Sequence, residues 1–188
     1  MLLAEMDLTG LRTLDPANVT DLAVRRALEI AHQDIGVHER PRGSNTAKRI
    51  DVYNQTAGAP RGSYWCASAV TTWWKESGLE VPPLAATWWV QHQIPVSGPA
   101  ACKAWVKWGL VTNRWSHIPK IGAAVLYGTS MDTAEHMGLC VEWDPFDGTH
   151  FSIEGNTTLD GYSRNGEVVT LKSVRMDRLL GYVYPTPQ

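Results

Sequence analysis

Three cysteines in a chain of 188 residues are too few for a disulfide scaffold. Neither sign of charge dominates. Seventeen Lys and Arg against nineteen Asp and Glu give a net charge of −2, which removes the basic footprint that nucleic-acid binding needs. No apolar run approaches the length of a membrane span, so membrane insertion is not expected. The first seven residues, Met1 to Asp7, carry neither a basic leader nor a sustained apolar stretch. The expectation is synthesis in the cytoplasm without a Sec signal. Internal repeats and low-complexity segments are also absent.

What is present describes an ordinary globular chain, 44% hydrophobic and 19% charged, long enough to build a substantial core. Residues 1–17 read as a lead-in and 18–188 as one domain. Helical patterns come first. Asn18 or Thr20 is placed to cap a helix through Leu22, Ala23, Ala27, Ile30 and Ala31, ending by Gly36. A second helix is predicted over Thr46–Thr56 with Asn45 as its cap. A third begins at Trp65-Cys66, carries Ala69, Val70, Trp73 and Trp74 on one face, and stops at Gly78. Thr87–His92 and Ala100–Gly109 complete the helical half.

From Gly122 the pattern changes to about five short strands: Ala123–Tyr127, His136–Trp143, His150–Glu154, Val168–Val174 and Leu180–Tyr184. The dipeptides Asp147-Gly148, Asp160-Gly161 and Asn165-Gly166 are strong turn signals between them. Helices followed by an antiparallel meander predict an α+β fold.

Cys66 stands in the first turn of an amphipathic helix, where unsatisfied N–H groups and the positive end of the helix dipole favour a thiolate. His136 opens a later strand, and Glu154 and Asn156 end the next. This is the chain order of thiol hydrolases: a nucleophile, a general acid–base and an orienting group. Alternation puts His136, Gly138 and Cys140 on one face. If that face meets the cysteine helix, Gly138 permits close approach and Met137, Leu139 and Val141 fill the opposite core. Either Glu154 or Asn156 can accept from the His136 ring; Glu154, being charged, would also favour imidazolium and so lower the Cys66 pKa. Glu154-Gly155-Asn156 also reads as a plain hairpin turn.

The segments Trp65-Cys66-Ala-Ser-Ala-Val70, His136-Met-Gly-Leu-Cys-Val-Glu142 and Ile153-Glu-Gly-Asn-Thr157 together resemble the CHAP family of peptidoglycan amidases and endopeptidases, related to the NlpC superfamily. Two positions depart from the pattern. Gly122-Ala123 replaces the Gly-Asp that often opens the first strand, and Met137 replaces the usual valine.

The resemblance spans roughly residues 22–184 and implies a papain-like fold, with N-terminal helices packed on a C-terminal antiparallel sheet. It further implies Cys66, His136, Glu154 and Asn156 as catalytic residues, no cofactor, and bacterial peptidoglycan as partner for a monomeric enzyme acting at the cell wall. Gly36 through Asn45, with Val52-Tyr53, resembles the substrate-side lead-in of such domains, which marks Glu39 and Asn45 as substrate contacts.

Trp65 adjoins the nucleophile, and its backbone N–H is expected to face the reacting oxygen. Trp88 and Trp89 are expected as cleft walls, and most of the nine tryptophans as core. No metal is expected. His32 and His38 lack a close third ligand, and Asp51 is the sole carboxylate between Asn45 and the nucleophile helix, where some relatives bind calcium. Asp144 to Asp147 reads as a turn, and His92, His117 and His150 carry no argued role. Cys102 and Cys140 are expected to be buried free thiols, with their pairing in an oxidising compartment as the alternative.

Overall fold

The computed structural model describes residues 20–95, 98–144, 146, 148, 150–159, 166–174 and 176–188. The lead-in and several of the expected turn residues (Asp147, Asp160, Gly161 and Asn165) lie outside them. Among the described residues, five α-helices precede a six-stranded, wholly antiparallel sheet, an α+β architecture with the helices N-terminal.

Helix α1 (Leu22–Gln33) starts at Asp21, whose carboxylate accepts from Ala23 N at 2.9 Å and Val24 N at 3.2 Å. Asp21 therefore takes the capping role expected of Thr20; Asn18 is outside the described residues. Val24, Ala27, Leu28, Ile30 and Ala31 form its buried stripe, while Leu22 stays exposed. Helix α2 (Lys48–Thr56) begins two residues later than expected and has no side-chain cap. Asn45 cannot serve, because it lies three residues before the first turn with φ at 54°.

Helix α3 (Cys66–Ser77) is the centre of the molecule. Every residue from Cys66 to Trp74 is buried, because α1 and α2 pack on one side and the sheet on the other. A helix enclosed on all sides needs apolar or small residues around its whole circumference, which Ala67-Ser68-Ala69-Val70 and Trp73-Trp74 supply. Gly78, at φ 88°, ends it as read from the sequence. Helices α4 (Ala86–Gln91) and α5 (Cys102–Val111) lie within one or two residues of their expected ranges.

The strands are β1 (Trp115–Ser116), β2 (Ala124–Gly128), β3 (Ala134–Trp143), β4 (His150–Thr157), β5 (Val168–Ser173) and β6 (Leu179–Val183), in the spatial order β1-β6-β2-β3-β4-β5. The meander holds from β2 to β5, but β6 returns to lie beside β2. The two-residue β1 is the strand that the sequence pattern lacked. Beyond β5, the segment around His38 adds a bridge to Val168, with Gly36 N and Glu39 N donating to Val169 O and Glu167 O at 2.9 Å each.

The two faces of the sheet are opposite to the expectation for β3. Met137, Leu139 and Val141 join Leu126, Ile153 and the helices in the main core. Cys140 joins Ala123, Val125, Tyr127 and Tyr182 on the far face. The large aliphatic and thioether side chains follow the larger apolar interface, which is the one the helices provide. Cys102 sits in the helix-side core, so Cys102 and Cys140 are separated by the sheet and cannot pair. All three cysteines are free and buried.

At Gly155 the start of α3 packs directly on β4. A Cβ there would meet the Trp65 ring at 2.7 Å and the Ala69 Cβ at 3.0 Å. Neither neighbour can yield easily, since both belong to the buried start of α3. Gly155→Ala is expected to destabilise the fold by about 1–3 kcal/mol through overpacking, lowering Tm by roughly 2–4 °C per kcal/mol for a chain of this size. An unchanged melting curve would show that the helix is not held at contact distance here.

Candidate active site

Cys66 is the first residue of α3, with Trp65 in the N-cap position. The N–H of Ala67 points at its sulfur, and Sγ of Cys102, the first residue of α5, lies 3.7 Å away. The Cys102 S–H hydrogen bond is the largest influence holding the Cys66 thiol well below its ordinary value. Burial opposes it, and the His136 ring and the Ala67 N–H add to it. Cys102 shows the converse: hydrogen bonding to the Cys66 sulfur and burial push its thiol well up. Of the two thiols, Cys66 is the one favoured to ionise, with the Cys102 S–H as its donor.

His136 stands third in β3, immediately after a register break. Tyr127 pairs with His136 and Gly128 with Ala134, leaving Glu135 as the extra residue. A bulge bends its strand and re-aims the adjoining side chain. The ring stacks on Tyr127, its cross-strand partner, at 6.0 Å between centroids. Nε2 lies 2.9 Å from Oε2 of Glu154. Nδ1 is buried with no hydrogen bond of ordinary geometry, and the remaining group acting on the ring is the Cys66 sulfur. Burial pulls the imidazole down, but Cys66 and Glu154 outweigh it and raise its pKa to about 10. The raised pKa favours the imidazolium, whose Nε2–H donates to Glu154.

Glu154 is 2% exposed. Burial pushes its carboxyl upward, yet the His136 charge and hydrogen bonds from His136, Ser152 and Tyr127 carry it below the usual carboxylate range. Ser152 Oγ donates to Oε1 at 2.8 Å, and the Tyr127 hydroxyl is 3.2 Å from that Oγ. Burial first, and Glu154 second, hold the Tyr127 phenol well above its ordinary pKa. It stays protonated and can donate. Expectation and structure agree that a strand residue fixes the His136 ring, and of the two candidates it is Glu154.

Asn156 does something else. It lies in the register break between Glu154 and Thr157, wholly buried, with φ at 54°. In the amide orientation that satisfies its neighbours, its oxygen accepts from Trp65 N at 3.0 Å and its NH2 donates to the Gly166 carbonyl. Asn156 therefore ties the start of α3 to the sheet and does not touch the ring. The expected use of the Trp65 N–H toward a substrate oxygen is corrected by the same bond, which occupies it. Glu154-Gly155-Asn156 is also no hairpin turn: β4 runs through it to Thr157.

The expected substrate contacts divide similarly. Glu39 is buried, and its Oε1 accepts from the Trp65 indole at 3.0 Å, so it supports the nucleophile helix from below. Trp65 itself is fully enclosed and stacks on Tyr53. Asn45 is half-buried in a left-handed conformation. Trp89 is buried, donating to the Pro83 carbonyl at 2.7 Å, while Trp88 keeps partial exposure and stacks on His92. No ring contact or hydrogen bond among the described residues joins Asn45, Trp88 or Trp89 to Cys66, His136 or Glu154. Asp51, the sole carboxylate before the helix, pairs with Arg61 at 3.1 Å.

Cys102, Ser152 and Tyr127 are the site residues that sequence reasoning passed over. Ser152 was within reach of the period-two rule, being two residues before Glu154 on the same face. Cys102 met the same first-turn criterion as Cys66. Tyr127 had no local signal, since only the pairing of β2 with β3 places it beside His136.

Gly138 pairs with Glu154 across β3 and β4. A Cβ on it would lie 2.6 Å from Glu154 Cγ and 2.9 Å from the Ile153 carbonyl. Its bare Cα is the space through which Glu154 leans toward His136. Gly138→Ala should displace that carboxylate, weaken the imidazolium and raise the Cys66 pKa. The pH midpoint of iodoacetamide alkylation is expected to move up toward the ordinary thiol value of about 8.5. An unchanged midpoint in a folded variant would remove Gly138 from this role.

Compared with protein-family models, curated proteins and solved structures, the chain matches none of them, so its chemistry is read from the arrangement of Cys66, His136 and Glu154 itself.

Proposed function

We propose that this chain is a cysteine hydrolase that cleaves an amide bond in the peptide part of bacterial peptidoglycan. The observation that carries the reaction type is the 2.9 Å bond from His136 Nε2 to a buried Glu154, beside a cysteine at a helix start whose thiol pKa is held well below its ordinary value. The resemblance of the three motifs to CHAP enzymes supplies the substrate class.

In this reading the Cys66 thiolate attacks the amide carbon and forms a tetrahedral intermediate. The N–H of Cys66, in the helix turn whose donors lack intrahelical acceptors, is the donor for the developing oxyanion. His136 passes the Nδ1 proton to the leaving nitrogen as the C–N bond breaks, giving a thioester and a free amine. Water then attacks the thioester with neutral His136 taking its proton, and the C–S bond breaks to release a carboxylate and restore the thiolate. Glu154 keeps Nε2 occupied throughout, so the ring can turn over its proton only at the nitrogen facing the sulfur.

Glu154 as third residue speaks against an NlpC-type γ-D-glutamyl peptidase, a family that generally uses a second histidine there. A silent wall-binding or virion assembly module has no need of an ionised thiol. A phage lysin or a secreted antibacterial effector is the setting that suits this chemistry.

Cys66→Ala is expected to abolish release of soluble muropeptides from purified walls, with mass spectrometry of wild-type products identifying the bond cut. Wall binding by wild type without any release would support the silent module instead. The pH profile supplies a separate test. The reactive ion pair exists from the depressed Cys66 pKa up to the raised His136 pKa, so the alkaline limb of kcat/KM should fall near about 10. Glu154→Gln should bring that limb down and slow turnover on the order of 10²–10⁴-fold. An alkaline limb near the unperturbed histidine value of ~6.5 in wild type would rule out the proposed ion pair.

A further inference from the structure

The mechanism above uses one of two cysteines that face each other. Cys66 and Cys102 are the first residues of α3 and α5, and their sulfurs are 3.7 Å apart with no atom between them needed to complete the contact. A disulfide requires about 2.05 Å, so closure needs the sulfurs to approach by less than the length of one van der Waals contact. Each cysteine adjoins a non-helical N-cap residue, Trp65 and Ala101, neither of which makes a side-chain cap hydrogen bond. Cys140 is walled off on the far face of the sheet and cannot compete.

We infer that Cys66 and Cys102 form a peroxide-reactive dithiol site, in which Cys102 resolves oxidised Cys66 into a reversible disulfide that masks the nucleophile. The first step is attack by the Cys66 thiolate on the O–O bond of a hydroperoxide. The sulfur gives up two electrons, an S–O bond forms, and hydroxide (or alkoxide) leaves, producing the sulfenic acid. In the second step the Cys102 sulfur attacks the Cys66 sulfur. The S–S bond forms, the S–O bond breaks, and the oxygen departs as water with the Cys102 proton. A small-molecule dithiol such as dithiothreitol reverses the change by thiol–disulfide exchange.

Two physical features favour this course over dead-end oxidation. Thiolate character concentrates oxidation at Cys66, and the resolving sulfur is already in contact, so the sulfenic acid meets a thiol before a second peroxide. The proton held on Cys102 is the one the departing oxygen needs. The inference depends on a reactive thiolate at Cys66 and not on peptidoglycan being the substrate.

The test uses the full chain and hydrogen peroxide at neutral pH, followed by alkylation of remaining thiols and non-reducing peptide mapping. The expected product is a Cys66 peptide linked to a Cys102 peptide within one chain, restored to two alkylatable thiols by dithiothreitol. In Cys102→Ser the same treatment should drive Cys66 to sulfinic or sulfonic acid, with loss of dithiothreitol-recoverable alkylation. The wild-type peptide map stands alone if that variant fails to fold. Wild-type Cys66 recovered as sulfinate, as an intermolecular disulfide or linked to Cys140 would overturn the inference. So would equal recovery of Cys66 in wild type and folded Cys102→Ser. Because the readout is sulfur chemistry, failure to hydrolyse walls would leave this result unaffected.

Discussion

The structure is organised around a buried charge: the Glu154 carboxylate, 2% exposed and 2.9 Å from the His136 ring. An isolated ionised carboxylate is not tolerated in such a place, and it persists only when paired and fully hydrogen-bonded. The surrounding residues meet that demand one by one. Ser152 donates to the second oxygen, Tyr127 backs Ser152, and the imidazolium supplies the countercharge. Gly138 gives up a side chain so that the carboxylate fits. Removing one partner from a buried pair of this kind typically costs about 3–5 kcal/mol, so the same network that tunes the chemistry is tied to the stability of β3 and β4.

A second constraint fixes where the sulfur stands. The first turn of α3 is held from three directions: Asn156 takes the Trp65 N–H, Glu39 takes the Trp65 indole N–H, and Gly155 lets the helix approach β4. Gly155 and Asn156 are neighbours on β4, whereas Glu39 reaches its place because its strand-like segment pairs along β5. They act by positioning and not by touching the reacting atoms. The contacts of β4 with α3 lie at the register break after Glu154, and His136 lies beside the one after Tyr127. The first break leaves Glu135 unpaired beside His136, and the second leaves Gly155 and Asn156 outside the ladder, so strict alternation is interrupted next to each site residue.

Much of the architecture was legible in the sequence. The stop of α3 at Gly78, the helical half before Gly122 and the strand-rich half after it follow from local rules, because helix period, C-terminal glycine and strand alternation act over a few residues. Cys66, His136 and Glu154 were also identifiable, since each has a local mark: a first-turn cysteine, a strand-opening histidine, and a carboxylate on the next strand. The cap of α1 was misplaced by one residue, and that of α2 was absent. Several residues in each lead-in can cap, and only the packed entry of the chain selects among them.

What the sequence by itself determined is the α+β order of elements and three residues able to form a thiol–imidazole–carboxylate set. The tertiary structure alone decided which face of β3 meets the helices, because parity says which residues share a face but not which face the larger apolar surface covers. It also decided between Glu154, which its charge favoured, and Asn156, for both could accept from the ring and their separation hinges on a bulge two residues long. The pairing of Cys66 with Cys102 is a decision of the same kind. Two helix starts thirty-six residues apart in the chain meet only because α3 and α5 both border the same core, and no local property of either cysteine carries that information.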